Sequence, residues 1–413
     1  MYTTPDAKDA VPACPPLGPV GPVPSGFFAD CSPADNFEGT RPIAAYFNEL
    51  ILNLRELLRW AKQFDQGNYW AVPIKGDPTM LRQSVVRAPV ITWPLTQVWV
   101  RNGGYPDPAD PFVGQPFDSL SSALRWLARY RIATGCVLEI ILSGEVHVEW
   151  AQLRVDHPDG GRIRIRGENA NALLYFPQSA GLLIGSNLLS LDTLTIQGPG
   201  WGWWDLRNQG LSIFGRLEAL DGVTLREWRG ECLVVYPNAF AMLQNPYDLG
   251  NGGYLLLQNG AFHGLSVSPN GTFYGSPTSS VVIQNVGANM LLSRGVLCNA
   301  GTFVVDSFQS WQTYNGIQLM DNAYGAARIL QVYDCHTVDA VVCSSNSVLV
   351  SSTGLGTPGD WVTWNNVNNT QQRFRAQDFA LIGAAGALHP ANRANASPAY
   401  NVEGNRLSMV AGY

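Results

Sequence analysis

LDTLTI (191–196) and LDGVTL (220–225) share one strand-like pattern and lie 29 residues apart. In both, leucines and β-branched residues alternate with polar ones, as in a strand with one buried face. Similar segments recur at intervals of about twenty to thirty residues, which predicts coils that each bury an apolar face on the next. These segments are VLEIIL (137–142), RIRIRG (162–167), CLVVY (232–236), GYLLLQN (253–259), SVVIQN (280–285), TFVVDSF (302–308), RILQVY (328–333) and SVLVSS (347–352).

The predicted fold is therefore mainly β: a right-handed parallel β-helix, or solenoid, preceded by an extended arm and a short helix. A second alignment, of Asp306 with Asp334, gives a coil of 28 residues. Asparagines at the segment ends, such as Asn259 and Asn285, are predicted turn residues. The alternative is a β-sandwich, because spacing alone does not distinguish parallel stacking from antiparallel pairing.

The composition agrees with a β-rich, turn-dense protein. Of the 413 residues, only 14% are charged, whereas 42 are glycine and 11% are aromatic. The net charge is -6, and the three lysines are Lys8, Lys62 and Lys75, so no basic stripe for nucleic acid is expected. No apolar run of about 18 residues occurs, and the first residues do not resemble an export signal. We therefore expect no membrane span, and a protein that is made and kept in a cytoplasm.

The seven cysteines are odd in number and have no C-x-x-C spacing. This predicts buried reduced thiols rather than a disulfide framework or a zinc site. The five histidines are scattered, so the sequence predicts no metal and no cofactor.

The N-terminal part has two predicted segments and a linker. Residues 1–40 contain eight prolines, which favours an extended arm that orders against a partner; a disordered tail is the alternative. Residues 41–66 form a predicted helix, and residues 67–94 a linker. The helix carries a heptad seam that a single helix does not bury, which favours a short oligomerising bundle over a helix lying on its own domain. The seam consists of Ile43, Phe47, Leu50, Leu54, Leu57 and Phe64.

The predicted β-helix body covers residues 95–370. Its entry contains a second helical pattern near 117–131, which we expect to cap the open end of the coil stack. Residues 371–413 turn polar and alanine-rich and are predicted to form a distal C-terminal segment.

Two stretches resemble bacteriophage proteins. Residues 26–58, GFFADCSPADNFEGTRPIAAYFNELILNLRELL, resemble the N-terminal segment of many tail fibres and other tail-associated proteins. Residues 98–148 are similar to the entry of pectate-lyase-like β-helices in tail fibres and tailspikes, with a first strand, an Asp/Gly-rich loop, a capping helix and a further strand. The resemblance implies a trimer whose N-terminal part attaches to the virion and whose body meets the bacterial surface.

The strongest candidate binding feature is the glycine-rich stretch GPGWGWWDLRNQG (198–210). Trp201, Trp203 and Trp204 supply flat apolar rings beside the polar Asp205 and Arg207, a combination suited to stacking on sugars. The alternative is a loop folded on its own body or on a neighbouring subunit. Trp361 and Trp364 form a second candidate.

The sequence argues against an enzyme more than for one. A polysaccharide hydrolase or lyase needs paired carboxylates or a base, yet Asp248 is the only acidic residue between Tyr236 and Val305. Coil stacking would bring Asp192 near Asp221 and Asp306 near Asp334, although aspartates are also common in turns. The expected function is a structural virion protein, a tail fibre or tailspike that attaches the particle to a glycan or protein of the host surface. The alternatives are a head spike, decoration or baseplate protein without receptor binding, and a depolymerase tailspike.

Overall fold

The computed structural model describes residues 10–11, 27–28, 90–147, 152–178, 181–200, 205, 208–248, 251–287, 293–337, 339–350, 360–364, 373–384 and 409–412. The chain divides into two compact units, Met1–Val90 with Arg129–Arg131, and Ile91–Ala128 with Ile132–Tyr413. In the first unit, the strand Ala10–Val11 pairs antiparallel with Phe27–Phe28. The predicted helix of residues 41–66 and most of the arm and linker lie outside the described residues.

The second unit is built from two long sheets. Sheet A contains eighteen strands among the described residues: Leu95–Tyr105, Val137–Ser143, Glu145–His147, Ile163–Gly167, Leu173–Tyr175, Asn187–Leu188, Ser190–Gln197, Arg216–Arg226, Phe240–Leu243, Tyr254–Gln258, Thr272–Gly275, Ser280–Gln284, Thr302–Trp311, Tyr324–Tyr333, Val348–Val350, Asp360–Trp364, Leu381–Ala384 and Met409–Gly412.

Sheet B is narrower and contains nine described strands: Leu153–Val155, Leu182–Ile184, Leu211–Ile213, Leu233–Val235, Leu265–Val267, Arg294–Asn299, Asn315–Met320, Asp339–Cys343 and Arg373–Ala376. The chain passes alternately through the two sheets, so each strand pairs with the strand one coil later. Every described strand pair within sheets A and B is parallel. The mainly β parallel solenoid is thus confirmed, and the β-sandwich alternative is wrong, because a sandwich pairs its strands antiparallel.

The remaining elements are short. Two-residue strands lie at Val90–Ile91 and Arg131–Ile132, and single 3₁₀ turns at Pro111–Val113 and Gly160–Arg162. The α-helix, α1, spans Leu120–Leu127 and is capped by the Ser119 hydroxyl, which accepts from the Ser122 N–H.

Helix α1 lies beside the first strand of sheet A. Its Trp126 contacts Phe117, with ring centroids 5.5 Å apart, and the backbone of Phe117 bridges to Val100. Leu120 and Leu127 are fully buried. A helix therefore lies within the predicted segment 117–131.

The coil length varies along the stack. Leu191 pairs with Leu220, so the predicted 29-residue alignment is confirmed. Other coils among the described residues range from 21 residues, where Val296 pairs with Ile317, to 42, where Leu95 pairs with Val137. Strands of both sheets continue beyond residue 370, so the stack extends past the predicted end of the body.

The predicted alignment of Asp306 with Asp334 is wrong. Val305 pairs with Ala327 and Trp311 with Tyr333, a shift of 22 residues rather than 28. Each strand bends in the middle, at Asp306–Ser307 and at Arg328–Ile329, where two successive side chains are only half-buried. These bends interrupt the apolar alternation, so the alternation alone does not give the shift.

The interior is a column of stacked apolar side chains. Phe273, Phe303 and Phe308 are fully buried, and the rings of Phe273 and Phe303 stack with centroids 5.9 Å apart. The five described cysteines, Cys136, Cys232, Cys298, Cys335 and Cys343, are buried and unbridged. Burial raises the pKa of the Cys298 and Cys335 thiols to about 12, as expected for reduced core thiols. Cys14 and Cys31 lie outside the described residues.

Candidate functional site: the outward face of sheet A

Outward side chains of four successive sheet A strands form a charged ladder, which consists of Gln97, Glu139, Arg164, Arg166, Ser190 and Asp192. Gln97 pairs with Glu139 and Glu139 with Arg164 in the strand register. Arg166 pairs with Asp192 on the next two strands. The neighbouring residues Ile163 and Ile165 point into the core and are fully buried, so alternation turns both arginines outward.

Glu139 is held as a buried carboxylate in this ladder, with 3% exposure. Gln97 Nε2 donates to Glu139 Oε2 at 2.9 Å, and Arg164 Nη1 donates to Oε1 at 2.7 Å. Burial alone would raise the pKa of Glu139. The hydrogen bonds from Gln97 and Arg164, with the charges of Arg166 and Arg164, outweigh burial and hold that pKa below its usual value.

Asp192 has the opposite balance. It is 2% exposed, and burial raises its pKa to about 6. The hydrogen bond from Ser190 Oγ, at 3.1 Å, and the charges of Arg164 and Arg166 oppose that rise, whereas the charge of Glu139 adds to it. Two carboxylates on one face thus have pKa values shifted in opposite directions.

Tyr247 reaches the same ladder from the loop that follows the strand Phe240–Leu243. The Arg164 guanidinium lies over its ring, with Cζ 4.6 Å from the centroid. The Tyr247 side chain remains well exposed, whereas Glu139 and Asp192 beside it are buried. The carboxylates therefore lie beside half-buried arginines rather than facing the solvent.

Further along the stack, the outward side carries an aromatic face, which consists of Phe214, Arg216, Tyr236, Phe240, Tyr274 and Tyr324. Phe214 stacks on Tyr236, with centroids 3.8 Å apart and planes inclined by 15°. Arg216 lies over the ring of Phe240 at 4.5 Å. Tyr274 is 40% exposed and Tyr324 is 42% exposed, so two further rings are open to solvent.

The strand register sets the spacing of these rings. Phe240, Thr272, Thr302 and Tyr324 follow one another on four successive strands. Phe240 and Tyr324 are thus three strand spacings apart, roughly 14 Å. Tyr274 lies two residues beyond Thr272 and so faces the same side. Together they form an exposed strip of rings and hydroxyl groups.

No family model, curated protein or solved structure matches this chain. Its function must therefore be inferred from its own residues. Within the described ranges, no group of three or more His, Cys, Asp or Glu side chains is placed to hold a metal ion. None of the described helices is long and apolar enough to cross a membrane.

Most of the sequence-predicted site lies outside the described residues, namely Trp201, Trp203, Trp204 and Arg207, together with the oligomerisation seam Ile43, Phe47, Leu50, Leu54, Leu57 and Phe64. Asp205 is described and half-buried. Its N–H donates to the Arg229 carbonyl at 3.2 Å, and its carbonyl accepts from the Asn208 N–H at 2.8 Å. Trp361 and Trp364 belong to the strand Asp360–Trp364, where they pair with Leu330 and Tyr333.

Of the two predicted neighbours, Asp192 and Asp221 are adjacent in the strand register, as expected, whereas Asp306 and Asp334 are not. The two adjacent carboxylates have different partners: Asp221 Oδ1 accepts from the Tyr254 N–H at 2.9 Å, whereas Asp192 bonds to Ser190. Asp306 forms a two-pronged ion pair with Arg328, at 2.7 and 2.8 Å.

Sequence reasoning missed the charged ladder and the aromatic face. The alternation of Arg164 and Arg166 with isoleucines, and the single Glu139 within VLEIIL, were signals of an outward polar column. Tyr274 and Tyr324 come from coils of different length, so their common face emerges only from the strand register.

Proposed function

We propose that this protein is a structural component of a bacteriophage particle, a tail fibre or tailspike that attaches the particle to a saccharide of the host cell surface. The observation that carries the proposal is the aromatic face of sheet A, with Phe240, Tyr274 and Tyr324 presented on one side. The resemblance of residues 26–58 and 98–148 to tail-fibre segments supports the assignment to a virion.

The chemistry of this face suits a sugar. Sugar rings have apolar C–H faces that pack on aromatic rings, while their hydroxyls need hydrogen-bond partners. Tyr274 and Tyr324 have hydroxyl tips, Thr272 lies on the strand of Tyr274, and Thr302 lies on the strand between the two tyrosines. A strip about 14 Å long accommodates several consecutive sugar units, so we infer that the ligand is a polysaccharide chain rather than a single sugar.

The assembly belongs to the same proposal. We infer a right-handed winding, because connections between parallel strands are right-handed in nearly all known cases. Residues 1–40 would dock to the tail or another virion protein, and residues 41–66 would hold three chains together. The tryptophan stretch from Trp201 to Trp204 would add a second stacking surface.

The test uses the purified full-length chain and a panel of immobilised bacterial polysaccharides: lipopolysaccharide O-chains and capsular polysaccharides. We expect retention on one class. The double variant Tyr274→Ser/Tyr324→Ser should bind roughly 30-fold more weakly, because each stacked ring contributes about 1 kcal/mol. Tyr254→Ser is the matched control, since Tyr254 is 42% exposed on the other half of sheet A.

The alternatives give different results. Absence of binding to every polysaccharide would favour a decoration or baseplate protein. Release of shortened oligosaccharides from a bound polysaccharide would instead indicate a depolymerase. Equal weakening by Tyr254→Ser and by the double variant would contradict the assignment of the binding face.

A further inference from the structure

A small pocket lies outside the aromatic face, at the first strand of sheet A. Its volume is about 280 Å³, at the lower end of the range of roughly 300 to 1,000 Å³ for small-ligand sites. A pocket of this size fits one ring rather than a chain. It is lined by Trp93, Leu95, Thr96, Gln97, Trp99, Phe112 and Gly114.

The aromatic wall of the pocket is held in place from behind. Trp93 meets Phe112 edge to face, with centroids 5.7 Å apart, and Phe112 in turn meets Trp126 of α1 at 5.2 Å. Asp110 fixes the turn that carries Phe112, because its Oδ1 accepts from the Phe112 N–H at 3.2 Å. Trp93 is nevertheless 60% exposed, so a supported indole faces the solvent.

Polar groups line the same pocket. Gln97 Nε2 donates to Glu139, so Gln97 Oε1 is left as an acceptor, without a partner among the described residues. The Thr96 side chain is 3% exposed, and its Oγ1 has no hydrogen-bond partner in the described part of the chain. By the alternation of this strand, however, Thr96 shares the inward face with Val98 and Val100, so Gln97 is the polar side chain that a ligand in the pocket would meet.

None of the described residues that line the pocket has a charged side chain. The carboxylate of Glu139 is neutralised by Arg164 at 2.7 Å, and the carboxylate of Asp110 lies beside Phe112. An anionic ligand would therefore find no counter-charge among these residues, whereas a purely apolar ligand would leave Gln97 Oε1 unpaired. A neutral ligand with one flat apolar face and several hydroxyls satisfies both conditions.

We propose that this pocket binds a single neutral sugar ring, which stacks on Trp93 and donates a hydroxyl to Gln97 Oε1. This inference rests on the proposed saccharide-binding function for its ligand class and adds a second, single-ring subsite. The aromatic face would bind the length of a polysaccharide, and the pocket would bind one terminal or branching sugar unit.

The test is saturation-transfer NMR on the full-length chain with methyl glycosides of neutral hexoses and of N-acetylhexosamine. Methyl glucuronide serves as the charged comparison, and toluene as the neutral apolar one. We expect a neutral glycoside to bind and the glucuronide not to bind. Trp93→Ala should weaken binding about tenfold, the equivalent of one lost stacking contact, whereas Trp93→Phe should retain most of it.

Tyr105→Ala is the matched control, because Tyr105 is 57% exposed at the other end of the same strand and does not line the pocket. Absence of binding by every neutral glycoside, or binding that Trp93→Ala leaves unchanged, would overturn the inference. So would a preference for the apolar probe that neutral glycosides do not displace.

The two saccharide proposals fail separately. If no polysaccharide is retained but a neutral glycoside binds in a Trp93-dependent way, the proposed attachment surface is wrong. The proposed sugar site in the pocket is then still supported. If retention depends on Tyr274 and Tyr324 but no glycoside occupies the pocket, only the pocket is wrong. The double variant at Tyr274 and Tyr324 should leave glycoside binding unchanged.

Discussion

Glu139 and Asp192 are two carboxylates on one sheet face, and their partners set their charge states. Hydrogen bonds from Gln97 and Arg164, with the charges of nearby arginines, outweigh burial at Glu139, whereas burial dominates at Asp192 despite the bond from Ser190. This different balance of burial against hydrogen bonds and nearby charges separates the two pKa values. It also makes their contributions to stability depend on pH in opposite ways.

Asp192→Asn should stabilise the protein increasingly as the pH rises. The fold raises the pKa of Asp192 from 3.8 to about 6, so its favourable contribution is present below pH 4 and is lost as the pH passes 6. The gain from the variant should reach on the order of 2–3 kcal/mol by pH 8. Urea unfolding between pH 4 and pH 8 measures it.

Glu139→Gln is the control of opposite sign. Because the pKa of Glu139 is lowered, its stabilising contribution is present above its unfolded pKa and is lost as the pH falls. This variant should be destabilised at pH 7, and less so at pH 4. Parallel pH profiles for the two variants would contradict the assigned charge states.

At the scale of elements, five successive coils turn from sheet A to sheet B through a residue in the left-handed region. Glu227, Asn259, Asn285, Gln312 and Asp334 occupy this corner, with φ between 52° and 64°. Asparagine adopts this conformation more readily than most residues. Asn285 Nδ2 also donates to Asn259 Oδ1 on the preceding coil, at 3.0 Å. The side chains at this corner therefore also link one coil to the next.

Asn285→Ala should lower the free energy of unfolding by about 2 kcal/mol, from backbone strain and the lost hydrogen bond. Asn285→Gly should cost about 1 kcal/mol, because glycine accepts the conformation but forms no side-chain bond. Chemical unfolding of both variants separates the two contributions.

Asn270→Gly is the matched control for this corner. Asn270 has a similar φ of 59° at the opposite corner, where it is exposed and its backbone N–H donates to Ala300. The change should be nearly neutral. An equal loss at both asparagines would contradict a specific role for the Asn259–Asn285 bond.

At the scale of the whole molecule, coils of unequal length stack in one register. The two short coils from Thr302 to Tyr333 have uninterrupted sheet A strands, whereas longer coils add loops such as the one carrying Tyr247. The added residues do not alter the stack, because they form loops that project from it at the corner or at the bend of sheet A. Such loops are where a solenoid can vary its surface without altering its core.

Deletion of residues 1–66 should leave a folded body that no longer joins the particle, if these residues dock and hold the chains together as proposed. Circular dichroism would report the retained β-structure, and immunoblotting of purified particles would report incorporation. The full-length tagged chain is the control. A truncated chain that still enters particles would refute the docking function, and cryo-electron microscopy of the particle would locate the intact chain.

The sequence by itself determined the class of structure. Strands with alternating apolar residues, turn residues between them and intervals of about 29 residues were enough to predict stacked β-coils, and the partnership of Leu191 with Leu220 was correct. These features are local, so they can be read along the chain. The same reasoning located the helical segment that contains α1.

Only the tertiary structure decided which side chains meet. Both strands bend in the middle and interrupt the period-two alternation, so the sequence did not identify Arg328 rather than Asp334 as the neighbour of Asp306. Glu139 and Tyr247 are distant in the chain and share a ladder only because intervening coils have particular lengths. The candidate surfaces follow from the register, which packing of the whole stack sets.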